Sequence, residues 1–130
     1  MPEPKFEVYY YVDEKGVAPV RDYLFSLPEG QRAKAFAFVN FLSEEGYKIR
    51  RPFADYLGDQ TGLYELRPKP SRVIYFFHHK NKIILLHAFL KKTKAIPPKE
   101  LKIALDRKEN CEVLIKFNEA EFEGENPSNN

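Results

Sequence analysis

Five polar side chains in the middle of the chain are of types that act on phosphate esters. They are Glu65, Arg67, Arg72, Lys91 and Lys92. Arginine presents a planar fork that matches phosphate oxygens, and lysine is a compact charge whose pKa falls when other cations crowd it. Such a lysine can accept the proton of a ribose 2′-OH, and arginines can stabilise the dianionic phosphorane that forms. A set of these residue types could therefore cleave RNA without a metal ion, and we treat it as the candidate catalytic set.

Positive charge is concentrated in the same part of the chain. The 130 residues carry a net charge of +2, but residues 65–108 hold 12 basic and 3 acidic side chains, a net charge of +9. Residues 1–64 carry −2 and residues 109–130 carry −5. A strongly basic segment within a nearly neutral protein is typical of a surface that binds a polyanion.

Three further residues of this basic segment are predicted to bind RNA. Lys69 and Lys94 add charge beside the catalytic set, and Phe89 lies close enough to the lysines in sequence to stack on a nucleobase. The competing interpretation is that these basic residues are solvated strand ends. Glu65 and Arg67 would then form an ordinary ion pair between neighbouring strands. The sequence pattern alone leaves both interpretations open.

The other reactive residue types indicate structural roles. His78 and His79 fall in a predicted turn, and His87 lies inside an apolar strand, where a hydrogen-bonded core histidine is the usual role. The single cysteine, Cys111, excludes a disulfide framework, and no Cys/His spacing resembles a zinc site. We therefore predict no metal and no cofactor.

Hydrophobic periodicity predicts the elements that position the catalytic set. A β-rich segment at 6–12 is followed by amphipathic helices over 17–27 and 31–45, joined as a hairpin. The apolar period then changes to two, in short segments separated by hairpin-length turns. Pro97 and Pro98 open a last helix. We predict an α+β fold: an N-terminal strand and a helical hairpin on a mostly antiparallel sheet of four or five strands, then a short C-terminal helix.

The charge pattern also predicts the domain organisation. Residues 1–108 form one domain, and residues 109–130 form an acidic extension that is at least partly disordered. The apolar piece CEVLIKF of this extension could instead add an edge strand. No signal peptide is apparent, and the longest apolar run is far short of the ~20 residues of a membrane helix. We expect a cytoplasmic protein without membrane association.

The order of these segments resembles the phage-derived HigB-like branch of the RelE/ParE toxin superfamily. The resemblance covers nearly all of residues 6–108, and the combination of LYELR with LLHAFLKKT is its most specific part. Three features depart from the family pattern. Ala88 stands where glycine is usual, Ile96 stands where a threonine usually precedes the helix proline, and the chain continues beyond Arg107. Loss of that N-cap threonine typically costs ~1 kcal/mol, so we expect a less firmly started last helix.

The resemblance implies a function and partners. Carried over by position, the catalytic set matches the polar signature of the family, and Thr93 matches in a structural role at the strand exit. The family implies a RelE-like fold and a type II toxin that cleaves messenger RNA in the ribosomal A site. Its partners would be the ribosome, messenger RNA and a helix-turn-helix antitoxin, in a toxin–antitoxin hetero-oligomer. The alternative is a non-catalytic ParE-like module that targets DNA gyrase, which would need no phosphate-stabilising set.

Overall fold

The structure, a computed structural model, describes residues 6–118 as one six-stranded sheet with three α-helices. The elements are β1 (Glu7–Val12), α1 (Pro19–Ser26), α2 (Glu29–Glu45), a 3₁₀ turn (Gly46–Lys48), β2 (Ala54–Tyr56), β3 (Tyr64–Leu66), β4 (Ser71–His78), β5 (Lys82–Leu90), α3 (Pro98–Glu109) and β6 (Val113–Lys116). The strand order is β2-β3-β4-β5-β1-β6, with every neighbouring pair antiparallel except β1 and β5. The predicted α+β fold is confirmed.

The two faces of the sheet carry different helices because successive strand residues point to opposite sides. Ile83 and Leu85 of β5 belong to the core cluster beneath the hairpin of α1 and α2. Ile84 and Leu86 belong to a second cluster, which contains Ala104 of α3. All four strand residues are fully buried. We call the two sides the hairpin face and the α3 face.

The C-terminal part of the described chain completes the sheet. Val113–Lys116 form β6, antiparallel to β1, so the apolar piece CEVLIKF adds the edge strand and the sheet has six strands instead of four or five. The boundary at residue 108 stays a prediction. The predicted disorder of the acidic end falls mostly on residues 119–130, which lie outside the described residues. Within residues 6–118, no helix is both long and apolar enough to cross a membrane.

The start of α3 lies one residue later than the family pattern implies. Its N-cap is Pro97, and no side chain caps the helix there. Ile96 therefore precedes the N-cap and packs with the α3-face core. The last turn carries Arg107 and Lys108, where positive charge complements the partial negative charge of a helix C-terminus.

Candidate active site

The pairing of β3, β4 and β5 gathers the predicted catalytic residues at one end of the α3 face. Glu65 is paired with Ile74, and Arg72 is paired with Phe89. Directly opposite residues of antiparallel strands point to the same face. Arg67 lies two positions beyond Glu65 and follows it to that face, as the alternation in LYELR predicts.

An irregularity in β5 decides which lysine joins this group. Tyr75 is paired with Leu85 but Ile74 is paired with His87, so Leu86 is an extra residue without a partner. An extra residue of this kind inverts the alternation that follows it. Strict alternation from Leu86 would bring Lys92 to the α3 face. The inversion brings Lys91 there instead.

The buried carboxylate of Glu65 is the centre of the resulting group. Glu65 is 1% exposed, and its Oε1 accepts a hydrogen bond from Arg67 Nε at 3.0 Å. Its Oε2 lies 3.5 Å from Arg72 Nε and 3.7 Å from Lys91 Nζ. One carboxylate thus faces three cations, which leaves an excess of positive charge. We call Glu65, Arg67, Arg72 and Lys91 the cationic cluster.

Two atoms of the cationic cluster are buried without a hydrogen-bond partner among the described residues. They are Glu65 Oε2 and Arg72 Nε. Each such atom costs roughly 1–3 kcal/mol, and native proteins contain few of them. Burial lowers the pKa of the Arg72 guanidinium, which the charge of Glu65 opposes and that of Arg67 reinforces. Unsatisfied buried groups with perturbed pKa values are typical of functional sites.

Arg67 links the cationic cluster to the edge strand β2. Its Nη2 lies 3.5 Å from Asp55 Oδ2, which also pairs with Arg51 at 2.8 Å. Asp55 stands directly opposite Glu65, an arrangement of like charges that is unfavourable without a cation between them. The hydrogen bond from Arg51 is the main reason that the pKa of Asp55 is lowered. Arg67 is 24% exposed, so its fork is fixed on one side and open to solvent on the other.

The other predicted lysines surround the cationic cluster without joining it. Lys92 and Lys94 are exposed beyond the end of β5, and Lys69 is exposed in the loop between β3 and β4. Thr93 donates a hydrogen bond to the backbone carbonyl of Ala95 at 2.7 Å, which agrees with the structural role implied by the family. These exposed cations can meet phosphates that flank the one at the cluster.

Phe89 lies on the same face but in the core. It is 6% exposed, belongs to the α3-face cluster and stacks on His87 at a ring-centroid distance of 5.5 Å. The inverted alternation after Leu86 turns its ring inward. Its burial disfavours the predicted stacking on a nucleobase, and we assign it to packing.

His87 is the centre of a polar group that connects β5 to α3. Its Nε2 lies 2.9 Å from Glu100 Oε1, and its Nδ1 lies 3.3 Å from Arg107 Nη1. Because a guanidinium only donates, Nδ1 is the acceptor and Nε2–H donates to Glu100. The predicted hydrogen-bonded core histidine is confirmed. The sequence did not single out its partners, although their spacing of seven places them on one helix face.

We expect a pH-dependent stability from His87. Burial lowers its pKa, and the hydrogen bond to Glu100 only partly opposes this. Because the folded-state pKa is below the unfolded value of ~6.5, this histidine's contribution is present above that pH and is lost as the pH falls toward the folded-state value. The free energy of unfolding should therefore fall more steeply between about pH 7 and pH 5 in the wild type than in His87→Gln. Urea titrations of both proteins across this range measure the difference, and equal slopes would contradict it.

The remaining reactive residues have structural surroundings. Cys111 Sγ donates to the Lys108 carbonyl at 3.1 Å, and burial raises the pKa of its thiol. His78 ends β4, and His79 occupies the following turn with a φ of 58°. Among residues 6–118, no three His, Cys, Asp or Glu side chains gather as metal ligands.

The fold is consistent with a RelE-like class of protein, and a comparison with known families supports this class. The sequence profile of the phage-derived Gp49-like proteins (DUF891) matches residues 22–109, more than half of the chain. The chain belongs to this family, which is a RelE/toxin-like family. The matched span contains the whole cationic cluster. No curated protein sequence matches the chain.

Proposed function

We propose that this protein is a HigB-like toxin, an endoribonuclease that cleaves messenger RNA on the ribosome in the bacterial cytoplasm. The observation that carries the proposal is the cationic cluster, in which three cations surround one buried carboxylate. The positive charge that this carboxylate leaves unmatched suits a phosphate whose negative charge increases in the transition state. Membership of a toxin-like family supports the same conclusion.

The exposure of each side chain suggests its role. Arg67 is the most exposed cation of the cluster at 24%, whereas the side chains of Arg72 and Lys91 are 11% and 9% exposed. Arg67 therefore binds the scissile phosphate most directly. Arg72 and Lys91 add positive charge from deeper in the site. Glu65 is too deeply buried to touch RNA. It acts as a positioning residue that holds the cations before the substrate arrives, so that little reorganisation is needed.

The proposed reaction uses the RNA as its own nucleophile. A lysine of the pair Lys91 and Lys92 accepts the proton of the 2′-OH, and the 2′-oxygen attacks the neighbouring phosphorus. The bond between phosphorus and the 5′-oxygen then breaks, and the 5′-oxygen takes a proton from the protonated lysine, directly or through a water molecule, which leaves a 2′,3′-cyclic phosphate and a 5′-hydroxyl. Lys69 and Lys94, both exposed, bind flanking phosphates. No residue role in this scheme calls for a metal ion.

The ribosome and a small helix-turn-helix antitoxin are the proposed partners. The toxin-like family supports the antitoxin. The low exposure of Arg72 and Lys91 adds a physical reason for the ribosome. A message held rigidly in the decoding site would present its phosphate to the cluster in one orientation, and such positioning can supply several powers of ten in rate.

Purified protein tests this proposal. We expect cleavage of messenger RNA bound to programmed ribosomes and little cleavage of the same RNA free in solution, measured by primer extension. Heat-denatured protein provides the blank. Growth arrest upon induction with intact messages and trapped gyrase would overturn the proposal and favour the ParE-like alternative.

A further inference from the structure

A groove separate from the cationic cluster lies around the edge strand β2, on the hairpin face. It has a volume of about 680 Å³, and the side chains that matter here are Tyr47, Arg50, Arg51, Asp55, Tyr56 and Tyr64. We call it the aromatic groove. None of its tyrosines belongs to the cationic cluster. Alternation in β2 and β3 points Tyr56 and Tyr64 to the opposite face, and Tyr47 lies in the 3₁₀ turn.

The tyrosines of the aromatic groove are supported from behind by other rings. Tyr56, Tyr64 and Tyr75 form a row of paired residues across three strands. The ring of Tyr64 stacks on that of Tyr75 at a centroid distance of 5.3 Å and an interplanar angle of 18°. The ring of Tyr56 packs at a tilt against that of Tyr64, at a centroid distance of 4.7 Å. Tyr47 stacks on Phe77 at 3.9 Å with an angle of 23°. These contacts fix the rings before any ligand arrives.

Two of these supported rings have a free side. Tyr47 is 47% exposed and Tyr56 is 44% exposed. The ring of Phe6 contacts the ring of Tyr47 at a centroid distance of 5.5 Å and helps to hold it in place. Phe6 can lie this close to the turn because residue 46 is glycine, where a Cβ would clash with the Phe6 ring. A flat ligand can therefore stack on either ring with little loss of side-chain freedom.

The aromatic groove contains two arginines that can contact phosphates. Arg50 is exposed and anchored through Nη1 to the carbonyl of Ile49 at 3.1 Å, and the side chain of Arg51 is 73% exposed. Asp55 pairs with Arg51, so Arg50 is the arginine of the groove whose charge is left for a phosphate, and Asp59 accepts a hydrogen bond from the Tyr56 hydroxyl at 2.8 Å.

The accessible surface is one of rings and guanidinium groups. The aliphatic residues that line the groove, Ile49 and Ala54, are 9% and 1% exposed. Exposed tyrosine faces beside arginines are the chemistry of single-stranded nucleic acid binding. Tyrosine and arginine are also common in protein–protein interfaces, so the choice of RNA depends on the neighbouring cationic cluster.

The aromatic groove and the cationic cluster lie on opposite faces of the sheet and meet at its edge. Asp55 lines the groove and also lies 3.5 Å from Arg67 of the cluster. Only the three-residue strand β2 separates the two sites. An RNA strand whose phosphate sits at Arg67 would pass Arg51 at the sheet edge and enter the groove.

We propose that the aromatic groove binds the single-stranded RNA that flanks the scissile phosphate. One base stacks on Tyr47 and another on Tyr56, while Arg50 and Arg51 bind the intervening phosphates. The groove would let the enzyme bind the bases of the message that lie beside the cleavage site. The proposal rests on the proposed function for the identity of its ligand.

Equilibrium binding of an uncleavable probe tests the groove separately from catalysis. The probe is a fluorescent 2′-O-methyl oligonucleotide about 12 nucleotides long, which suits the site sizes of single-strand binders. Loss of one stacked base weakens affinity about 5- to 150-fold. We therefore expect Tyr47→Leu and Tyr56→Leu each to weaken binding at least about fivefold, while Tyr47→Phe and Tyr56→Phe, which keep the ring, bind like the wild type. Thermal melting verifies that all four variants fold.

The outcomes separate the two proposals. Equal binding of the probe by the leucine variants and the wild type would contradict RNA binding by the aromatic groove, whether or not the enzyme cleaves RNA. Unchanged RNA binding with lost binding of a protein partner would overturn it in favour of a protein-docking surface. Ring-dependent binding in a protein that never cleaves messages would support the groove and contradict the proposed function.

Discussion

Replacing Arg67 with alanine should slow cleavage of ribosome-bound messenger RNA about 100- to 1000-fold, the usual cost of losing one preorganised stabiliser of transition-state charge. Arg67 is the cluster cation most open to solvent, and its Nε is held at 3.0 Å by Glu65. Truncation removes the fork and leaves Arg72 and Lys91 in place behind it. Single-turnover rates on programmed ribosomes measure the effect.

Two variants control for charge and fold. Arg67→Lys keeps the charge but not the fork, so we expect an intermediate rate. Lys102→Ala removes a cation of the same basic segment whose side chain is 76% exposed and pairs with Asp106, and it should cleave at the wild-type rate. A wild-type rate for Arg67→Ala would show that Arg67 takes no part in cleavage, and loss of its cooperative melting would show that Arg67 is structural.

Glu65→Gln should have the largest effect on stability. Breaking a buried ion pair by removing one partner typically costs about 3–5 kcal/mol, because the remaining charge stays buried and unpaired. Here Glu65 is 1% exposed and, among residues 6–118, it is the only acidic partner of Arg72 and Lys91. Glutamine preserves the shape and an acceptor for Arg67 but removes the counter-charge. Urea denaturation measures the loss of unfolding free energy.

A compensating variant distinguishes charge from shape. Adding Lys91→Met to Glu65→Gln removes one of the buried cations, so the double variant should recover part of the lost stability. The control Asp106→Asn breaks an exposed pair and should change the unfolding free energy by less than about 1 kcal/mol. If Glu65→Gln melts like the wild type, the carboxylate does not hold the cluster together.

Much of the site could be predicted because it depends on local patterns. Alternation in LYELR placed Glu65 and Arg67 on one face, and hairpin-length turns made β3, β4 and β5 neighbours. Those two facts suffice to bring Arg72 beside Glu65. The helical elements followed from periodicity, and the last helix also from the prolines at its start.

The parts that were missed depend on tertiary context. The extra residue Leu86 in β5 inverts the alternation, which buries Phe89 and separates Lys91 from Lys92. No residue type near Leu86 signals this irregularity. The hydrogen bond between His87 and Glu100 joins residues 13 positions apart, on β5 and α3. β6 forms by pairing with the open edge of β1.

The most direct test of the account replaces a single 2′-hydroxyl. A message that carries one 2′-deoxynucleotide at the mapped cleavage position is bound to ribosomes and mixed with the protein, next to the all-ribose message. The account predicts that the ribose message is cut to a 2′,3′-cyclic phosphate and a 5′-hydroxyl, and that the deoxy message stays intact at that position. Cleavage of the deoxy message at an equal rate, or 3′ ends without a phosphate, would contradict it.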